Sequence, residues 1–467
     1  MSTESGKITS SIAILGGGPG GFAAALRARE LGYDTVLIDS RKSLGGTCIN
    51  EGCIPAKALN HAMSVIREAR SAESIGIRYE EPEIDIESIR EWKNKIVKGL
   101  SSGAERAIKR AGVNLVRGHG RFESPKRIAI KNGPRIEFEH AIIATGSRIK
   151  AFPDWYVPGI WTTGKAVALG EIPESMLVVG TIFYGLELAM FYSTLGTKVT
   201  VLETGEQVLE EADNDLVNAL LKNCRSKFDE VITGASIRSA EKTDDSFSVR
   251  IDDSSGSRDM EFHRILLAHG RRPNTDNTGI ENTGITPDPE GYIDVSMEGR
   301  TSEGHIFAVG DVVRGPMMTH FASWTGKLAV DTISGGELQL DYPIVPGVAF
   351  TEPQVAWTGI TEKEAMKAGV EYRIGKYPMA ALAGAIAQDK SEGFAKILFD
   401  PESRAILGVG LVGSHAGELI SEGTLAIRMC ATLDDLIETL HLHPTLSESI
   451  MEAAKVGAAK HDRSARS

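Results

Sequence analysis

The sequence predicts an α/β protein with two Rossmann-like nucleotide-binding domains, followed by a C-terminal α+β domain. The first observation is a strand, a glycine-rich turn and an Ala-rich helix within residues 12–39, and the second is a copy of this plan 164 residues later. The third is a change after residue 300 to short strands around one long helix, at residues 416–429. A chain of 467 residues, at roughly 150 residues per domain, has room for about three domains.

The first βαβ unit carries a complete nucleotide-binding pattern. Its strand, helix and second strand are predicted at residues 12–15, 20–30 and 35–38. In the G-x-G-x-x-G turn, Gly16 makes the turn, Gly18 lets the backbone approach a pyrophosphate and Gly21 lets the helix pack against the strand. Asp39, at the end of the second strand, can accept a hydrogen bond from a ribose hydroxyl. These features predict a dinucleotide site, with a merely tight turn as the alternative.

The second unit repeats the plan with one change in its turn. Its elements are predicted at residues 176–179, 185–194 and 199–202. Gly180 and Gly185 repeat the first and third glycines, but Ile182 replaces the middle one, where a β-branched side chain would keep phosphates from the backbone. Glu203 repeats Asp39, and no Arg follows closely to receive a 2′-phosphate, which favours NAD over NADP. The sequence is compatible with an NAD site and equally with a degenerate site that no longer binds the nucleotide.

Two cysteines form the most specific segment, residues 44–57. Cys48 and Cys53 are separated by four residues, and the glycines around them permit a backbone that brings them together. A helical pattern follows Cys53, and a helix N-terminus lowers the pKa of a thiol. Buried structural thiols or half a zinc site are the alternatives. Zinc needs two further ligands and no second Cys pair follows nearby in the sequence, so we expect no metal.

The C-terminal string HLHPTLSES offers a candidate acid–base pair. His443 is followed five residues later by Glu448. A carboxylate bonded to one imidazole nitrogen fixes the tautomer and keeps the other nitrogen basic, as general-base catalysis requires. A structural histidine is the alternative.

Composition excludes several classes of protein. Lys and Arg number 51 against 63 Asp and Glu, and a net charge of -12 argues against a nucleic-acid surface. Four cysteines are too few for a secreted disulfide scaffold. No signal-peptide pattern is visible and Glu187 interrupts the apolar stretch at residues 176–195, so we predict a cytoplasmic protein without a membrane span. Residues 458–467 are predicted to be a mobile tail.

Five motifs, in order along the chain, resemble those of the flavin-dependent pyridine nucleotide-disulfide oxidoreductases, and within that family the dihydrolipoamide dehydrogenases. They are the N-terminal G-x-G-x-x-G, the G-G-T-C-x4-C helix, the second nucleotide unit, a G-D motif and the C-terminal H-P-T-x-S-E. They extend over residues 12–448, nearly the whole chain. The most similar strings are GGTCINEGCIPAKAL, AVGDVVRGPMMTH, PGVAFTEPQVAWTG and HLHPTLSES.

The resemblance implies FAD as the cofactor and a division into domains. The residues implied for FAD are Gly16, Gly18, Gly21, Asp39, Gly46, Thr47, Lys57, Gly120, Thr145, Gly146 and Asp311. Those implied for NAD, around the turn in which Ile182 replaces the middle glycine, are Gly180, Gly185, Glu203 and Gly270. The domains would be an FAD-binding domain, an NAD-binding-like domain, a return to the FAD domain and a C-terminal dimerisation domain, at residues 1–147, 148–275, 276–343 and 344–467.

The resemblance also implies an active site shared between the subunits of a homodimer. Cys53 would be the thiolate that faces the flavin, and Cys48 the thiol that exchanges with substrate. The remaining catalytic residues would be an ion pair near the flavin and a base dyad from the partner subunit, namely Lys57 with Glu187 and His443 with Glu448.

The implied function is an FAD-dependent dithiol/disulfide oxidoreductase that oxidises a dihydrolipoyl dithiol, free or protein-bound, through a Cys48–Cys53 disulfide and FAD to NAD. One alternative is a family member with impaired nicotinamide binding that passes electrons to another acceptor. Another is a redox-inactive subunit that keeps FAD for binding only.

Several residues around the expected nicotinamide path depart from the family pattern. Phe183 occupies the place of an aromatic gate, and His269 stands where a small aliphatic residue is usual. Thr325 replaces a common acid. Three residues stand where dihydrolipoamide dehydrogenases typically show Asn-Ser-Arg: Leu382, Ala383 and Gly384. These departures favour the hypothesis that the thiol half-reaction is retained while the nicotinamide half is altered.

Overall fold

The structure, a computed structural model, describes residues 6–150, 153–336 and 344–465. The first nucleotide unit contains a sheet with strand order β3-β2-β1-β6-β5-β4. The elements of this unit are β1 (Lys7–Leu15), α1 (Pro19–Glu30), β2 (Thr35–Asp39), α2 (Gly46–Glu51), α3 (Cys53–Ser71), α4 (Ile86–Arg110), β3 (Asn114–Arg117), β4 (Gly120–Ser124), β5 (Arg127–Ile130), β6 (Arg135–Ile143) and β7 (Ser147–Ile149).

The start of the first unit follows from local sequence. Pro19 lies in the first turn of α1, where its missing N–H costs no hydrogen bond. The strand β1 is five residues longer than predicted because Lys7 and its neighbours pair in parallel with β6, beginning opposite Arg135. This extension is partly exposed, so it lacks the continuous apolar run that marks a fully buried strand.

The second unit repeats this plan in a five-stranded sheet of order β11-β10-β9-β15-β8, beside an antiparallel sheet β12-β13-β14. Its elements are β8 (Trp161–Thr162), α5 (Thr163–Ala168), β9 (Ser175–Val179), α6 (Phe183–Thr194), β10 (Lys198–Leu202), α7 (Asn214–Cys224), β11 (Glu230–Ile232), β12 (Ser236–Lys242), β13 (Phe247–Asp253), β14 (Gly256–Phe262), β15 (Arg264–Leu267) and β16 (Arg271–Pro273). The stretch that resembled a membrane span consists of β9, a turn and α6, which is buried on most sides. None of the helices in the described residues is long and apolar enough to span a membrane.

The chain then returns to the first unit. The strand β16 pairs with β7; the predicted boundary 147/148 falls within β7, and the predicted boundary 275/276 follows shortly after β16. Next, β17 (Ile306–Ala308) pairs in parallel with β6, and α8 (Thr319–Ile333) packs against α1. The predicted boundary at 343/344 falls beside residue 343, which lies outside the described residues. The domain boundaries therefore stay predictions.

The C-terminal part is an antiparallel sheet of order β18-β19-β22-β21-β20 with helices on it. Its elements are β18 (Gly347–Ala349), β19 (Gln354–Gly359), α9 (Glu362–Ala368), β20 (Arg373–Pro378), α10 (Ala383–Ile386), β21 (Phe394–Phe399), β22 (Ile406–Gly413), α11 (Ala416–Arg428), α12 (Leu433–Glu438) and α13 (Glu448–Ala465). The prediction of a mobile tail from residue 458 is wrong as far as residue 465, because α13 continues through it and buries Ala458 against the sheet. The last two residues lie outside the described ones.

Candidate active site

The glycine turn of the first unit is held by close backbone contacts. Gly16 has φ +113°, and a Cβ there would lie 2.2 Å from the Ala144 oxygen. A Cβ on Gly21 would lie 1.8 Å from the Gly16 oxygen, so only glycine lets α1 approach the turn. The N-cap residue Gly18 makes no side-chain hydrogen bond, which leaves the N–H groups of the first turn of α1 available to an anion.

A cavity of about 540 Å³ opens at this turn, a size typical of small-molecule sites. The sequence-predicted residues that line it are Gly16, Gly18, Asp39, Gly46, Thr47, Cys48, Cys53, Gly120, Thr145, Gly146 and Asp311. Gly21 lies behind the turn, and Lys57 is not among the lining residues. A backbone anion site, an acid and two thiols around one cavity fit the phosphates, ribose and redox-active ring of FAD.

Asp311 is positioned by residues from three segments. The Ser147 hydroxyl donates to Asp311 Oδ2 at 2.5 Å, and Arg271 Nε donates to the Ser147 hydroxyl at 2.7 Å. Thr325 has a structural role here: its buried hydroxyl accepts from the Gly310 N–H at 3.1 Å. The residue that departs from the family pattern therefore supports the turn that carries Asp311.

Cys48 lies in α2. Cys53 is the first residue of α3, at the helix N-terminus that the sequence predicted for it. Both are free thiols, and each affects the ionisation of the other. The hydrogen bond from Cys48 lowers the pKa of Cys53 to about 5 and raises the pKa of Cys48, while burial opposes ionisation of both. Cys53 is thus the thiolate of the pair at neutral pH.

Sequence reasoning missed two hydroxyl groups beside Cys53. Its sulfur lies 3.1 Å from Tyr184 Oη and 3.3 Å from Thr319 Oγ1, and both hydroxyls lower the pKa of the thiol. Phe183, which the sequence places as an aromatic gate on the expected nicotinamide path, stacks its ring on Trp357 with centroids 5.6 Å apart. Tyr184 lines the cavity instead. The only signal for Tyr184 in the sequence was its position directly after Phe183, just before the helix predicted at residues 185–194.

Lys57 and Glu187 form the ion pair that the resemblance implied. Lys57 Nζ lies 2.9 and 2.7 Å from the two carboxylate oxygens, and the Glu187 side chain is only 1% exposed. Glu187 also accepts from the Phe350 N–H at 3.1 Å, and Lys57 Nζ lies 4.2 Å from the centroid of the Phe350 ring. The pair therefore joins α3, α6 and the segment after β18.

His443 and Glu448 also meet, with Nδ1 of the imidazole 2.9 Å from Oε1. Glu448 accepts a second bond from the Thr445 N–H at 2.9 Å, and these two interactions lower the pKa of its carboxyl group. The His443 side chain is 70% exposed and does not line the cavity around the cysteines of its own chain. Gly384 packs on this turn, since a Cβ there would lie 2.7 Å from the Thr445 carbonyl carbon.

The predicted NAD residues lie around the turn of the second unit and outside the 540 Å³ cavity. Gly180 has φ +94°, and a Cβ on Gly185 would lie 2.1 Å from the Gly180 oxygen, as in the first unit. Ile182 is the N-cap residue of α6 and is 45% exposed. Gly270 faces it, because a Cβ on Gly270 would lie 3.9 Å from Ile182 Cδ1.

Among the residues that the structure describes, one group of three carboxylates has the spacing of metal ligands: Asp213, Asp215 and Glu362. Lys396, whose side chain is 1% exposed, places Nζ at 2.7–2.8 Å from all three. The ammonium group already supplies the cation, so the cluster is an internal ion network between α7 and the C-terminal sheet.

Comparison with known proteins agrees with this site. Residues 10–326 match the pyridine nucleotide-disulphide oxidoreductase family, and residues 345–454 match its dimerisation domain. The dihydrolipoyl dehydrogenase of Vibrio parahaemolyticus is 38% identical over 456 residues, which cover 96% of each chain. That of Halobacterium salinarum is 37% identical over 461 residues, covering 96% of this chain and 97% of the relative.

The fold is also similar to a solved structure, LpdA from Mycobacterium tuberculosis. The TM-score is 0.88 at 26% sequence identity, covering 96% of this chain and 99% of that chain. The predicted α/β architecture and the predicted enzyme class, an FAD-dependent dithiol/disulfide oxidoreductase, are confirmed. The chain belongs to the pyridine nucleotide-disulphide oxidoreductase family.

Proposed function

We propose that this enzyme oxidises a dihydrolipoyl dithiol, free or carried by a protein, as a cytoplasmic homodimer. The observation that carries the proposal is the pair of thiols, Cys48 and Cys53, at one cavity, with the Tyr184 and Thr319 hydroxyls 3.1 and 3.3 Å from the Cys53 sulfur. The relatives at 37–38% identity are dihydrolipoyl dehydrogenases, which supports the same substrate class. The match of residues 345–454 to a dimerisation domain supports the homodimer.

In the proposed reaction, the oxidised enzyme carries a Cys48–Cys53 disulfide. His443 of the partner subunit takes a proton from one substrate thiol, and the resulting thiolate attacks Cys48, which breaks the protein disulfide and releases Cys53 as a thiolate. The second substrate thiol then attacks the mixed disulfide, so that the substrate leaves as a cyclic disulfide and Cys48 leaves as a thiol. Two electrons now reside on the cysteines.

FAD would supply a two-electron acceptor in the cavity that Cys53 lines. The residues that would hold it are the glycine turn, Asp39 and Asp311. Glu448 would keep His443 in the tautomer that accepts a proton at Nε2, because it binds Nδ1. Lys57, fixed by Glu187, would place a positive charge near the ring.

Anaerobic titration of the purified flavoprotein with dihydrolipoamide tests the proposal. A long-wavelength absorbance band is expected after one equivalent, because the Cys53 thiolate then lies beside the oxidised flavin. Cys48→Ser should show the band without dithiol and Cys53→Ser should never show it, while an unchanged wild-type spectrum would support the binding-subunit alternative instead.

The half-exposed Ile182 side chain at the N-cap of α6 favours one variation of this function. In this variation the dithiol half-reaction is kept and NAD is not the electron acceptor. Steady-state oxidation of dihydrolipoamide with NAD, compared with the same reaction using a benzoquinone, distinguishes the two. Comparable rates with NAD and with the quinone would exclude the variation.

A further inference from the structure

The two nucleotide units place an acid in the same position relative to the turn. In the first unit, the Gly17 N–H donates to Asp39 Oδ2 at 2.7 Å. In the second unit, the Thr181 N–H donates to Glu203 Oε2 at 2.9 Å. Gly17 and Thr181 are 164 residues apart, and so are Asp39 and Glu203. The hydrogen bonds that the two acids accept can therefore be compared position by position.

Glu203 accepts more hydrogen bonds from neighbouring protein groups than Asp39 does. The Thr181 hydroxyl also donates to Glu203 Oε2, while the Gly205 N–H at 3.1 Å and the Thr204 hydroxyl at 3.3 Å donate to Oε1. A carboxylate offers about four lone pairs, so these donors with the Thr181 N–H fill them. Burial opposes ionisation of Glu203, but these hydrogen bonds outweigh it and lower its pKa.

Asp39 keeps capacity for a ligand. Its Oδ2 accepts from the Gly17 N–H, and its Oδ1 accepts from the Arg41 N–H at 2.7 Å. Glycine at position 17 has no hydroxyl that could occupy the acid. The first unit therefore retains free lone pairs on Asp39 for a ribose, whereas in the second unit the Thr181 hydroxyl takes the place of a ribose hydroxyl.

Ile182 lies where the pyrophosphate of a dinucleotide would approach the start of α6. Its φ of −60° and ψ of 146° resemble the −73° and −175° of Gly18, so the backbone here does not require glycine. What differs is the side chain. A Cβ on Gly18 would meet only Gly46 Cα at 3.9 Å, whereas Ile182 places a half-exposed side chain at the N-cap of α6, with its Cδ1 3.9 Å from where a Cβ on Gly270 would lie.

We propose that Thr181 and Ile182 are specificity-determining residues that exclude NAD and NADH from the second unit. Thr181 satisfies the ribose-binding acid internally, and Ile182 covers the helix N-terminus to which a pyrophosphate would bind. This inference deepens the proposed function, but it concerns binding of the nicotinamide nucleotide alone. Its test needs no dithiol, so its failure is distinguishable from failure of dithiol oxidation.

The test is a calorimetric titration of the FAD-loaded enzyme with NADH and, separately, with ADP-ribose. The variants are Thr181→Gly, Ile182→Gly and the double variant, with Thr181→Ser as the matched control that keeps the hydroxyl. We expect at least about tenfold tighter NADH binding for the double variant than for wild type, a change of about 1.4 kcal/mol. Each single variant should show part of this gain, and Thr181→Ser none.

Saturable NADH binding by the wild-type enzyme in the low micromolar range would overturn the proposal, as would a double variant that binds no more tightly than wild type. The wild-type titration keeps the proposal falsifiable if the double variant does not fold, which its flavin content reports. ADP-ribose separates the two effects, since it carries the ribose and pyrophosphate but no nicotinamide. A gain seen with NADH but not with ADP-ribose would also overturn the proposal.

Discussion

Cys53 gains its acidity from side chains in different parts of the chain. The start of α3 places it at a helix N-terminus, and Cys48 donates from α2. Tyr184 comes from α6 and Thr319 from α8, and both hydroxyls stabilise the negative charge on sulfur. Because each interaction favours the charged form, the thiolate persists at a pH at which an ordinary cysteine is protonated.

The first prediction concerns pH. In the dithiol-reduced flavoprotein, the long-wavelength band should remain constant from neutral pH down to about pH 6 and disappear with a midpoint near the Cys53 pKa of about 5. The sign follows from the lowered pKa, since the thiolate is lost only as pH falls through that value. A midpoint close to the ordinary thiol value of 9.0 would contradict it.

The second prediction concerns Tyr184. Tyr184→Phe removes one hydrogen bond to a charged sulfur, worth about 1.5 kcal/mol, and should raise the Cys53 pKa by roughly one pH unit. The same pH titration measures it. Tyr192→Phe is a matched control, because Tyr192 lies in the same helix and donates to the Ala166 carbonyl instead. Equal midpoints for wild type and Tyr184→Phe would show that the hydroxyl does not act on the thiolate.

At the scale of elements, α6 connects the parts of the site. Ile182 is its N-cap residue, its first turn carries Tyr184, and one turn later it carries Glu187. The helix packs between α3 and β18, which explains why it is apolar on almost every side. Glu187 is the exception, and it is stabilised by Lys57 from α3 and by the Phe350 N–H.

The third prediction follows from this buried carboxylate. Glu187→Gln should lower the free energy of unfolding by about 2 kcal/mol, less than for a fully buried pair because a third of the Lys57 side chain reaches solvent. Urea denaturation of the flavoprotein measures it. Glu73→Gln, which breaks an exposed pair with Arg78, should change stability by less than about 0.5 kcal/mol. Similar losses for both variants would show that burial does not matter here.

At the scale of the whole molecule, the dyad lies on a surface that a single chain leaves exposed. Leu440 and Leu442, which flank His441, are 99% and 79% exposed. Leu425 and Met429 lie at and just beyond the C-terminal end of α11, which is joined to this segment by His441 Nε2, 2.6 Å from Glu422. An apolar patch of this kind around a polar pair is typical of a protein interface.

The fourth prediction is that this patch holds the homodimer together. The double variant Leu440→Glu/Leu442→Glu should be monomeric by light scattering, keep its FAD and lose most dithiol oxidation, because His443 would no longer reach the partner's cysteines. Met366→Glu, an exposed apolar residue in α9 outside the patch, should stay dimeric. A monomeric double variant with full activity would show that the dyad does not act across the interface.

The sequence by itself determined the two βαβ units and the position of Cys53 at the start of a helix. These depend on short-range preferences: period-two and helical patterns, and glycines such as Gly16 and Gly180 at positive φ. The motif order was enough to predict the family. The residues around the cavity could be predicted because strand ends in a doubly wound sheet meet at one edge.

Only the tertiary structure decided which side chains complete the site. Tyr184 and Thr319 lie 131 and 266 residues from Cys53 in sequence, and no local pattern links them. The same holds for Lys396 among its carboxylates and for the helix at residues 458–465, which forms because Ala458 packs on a sheet. Contacts over such separations depend on how whole elements pack, a property that no single segment of the sequence encodes.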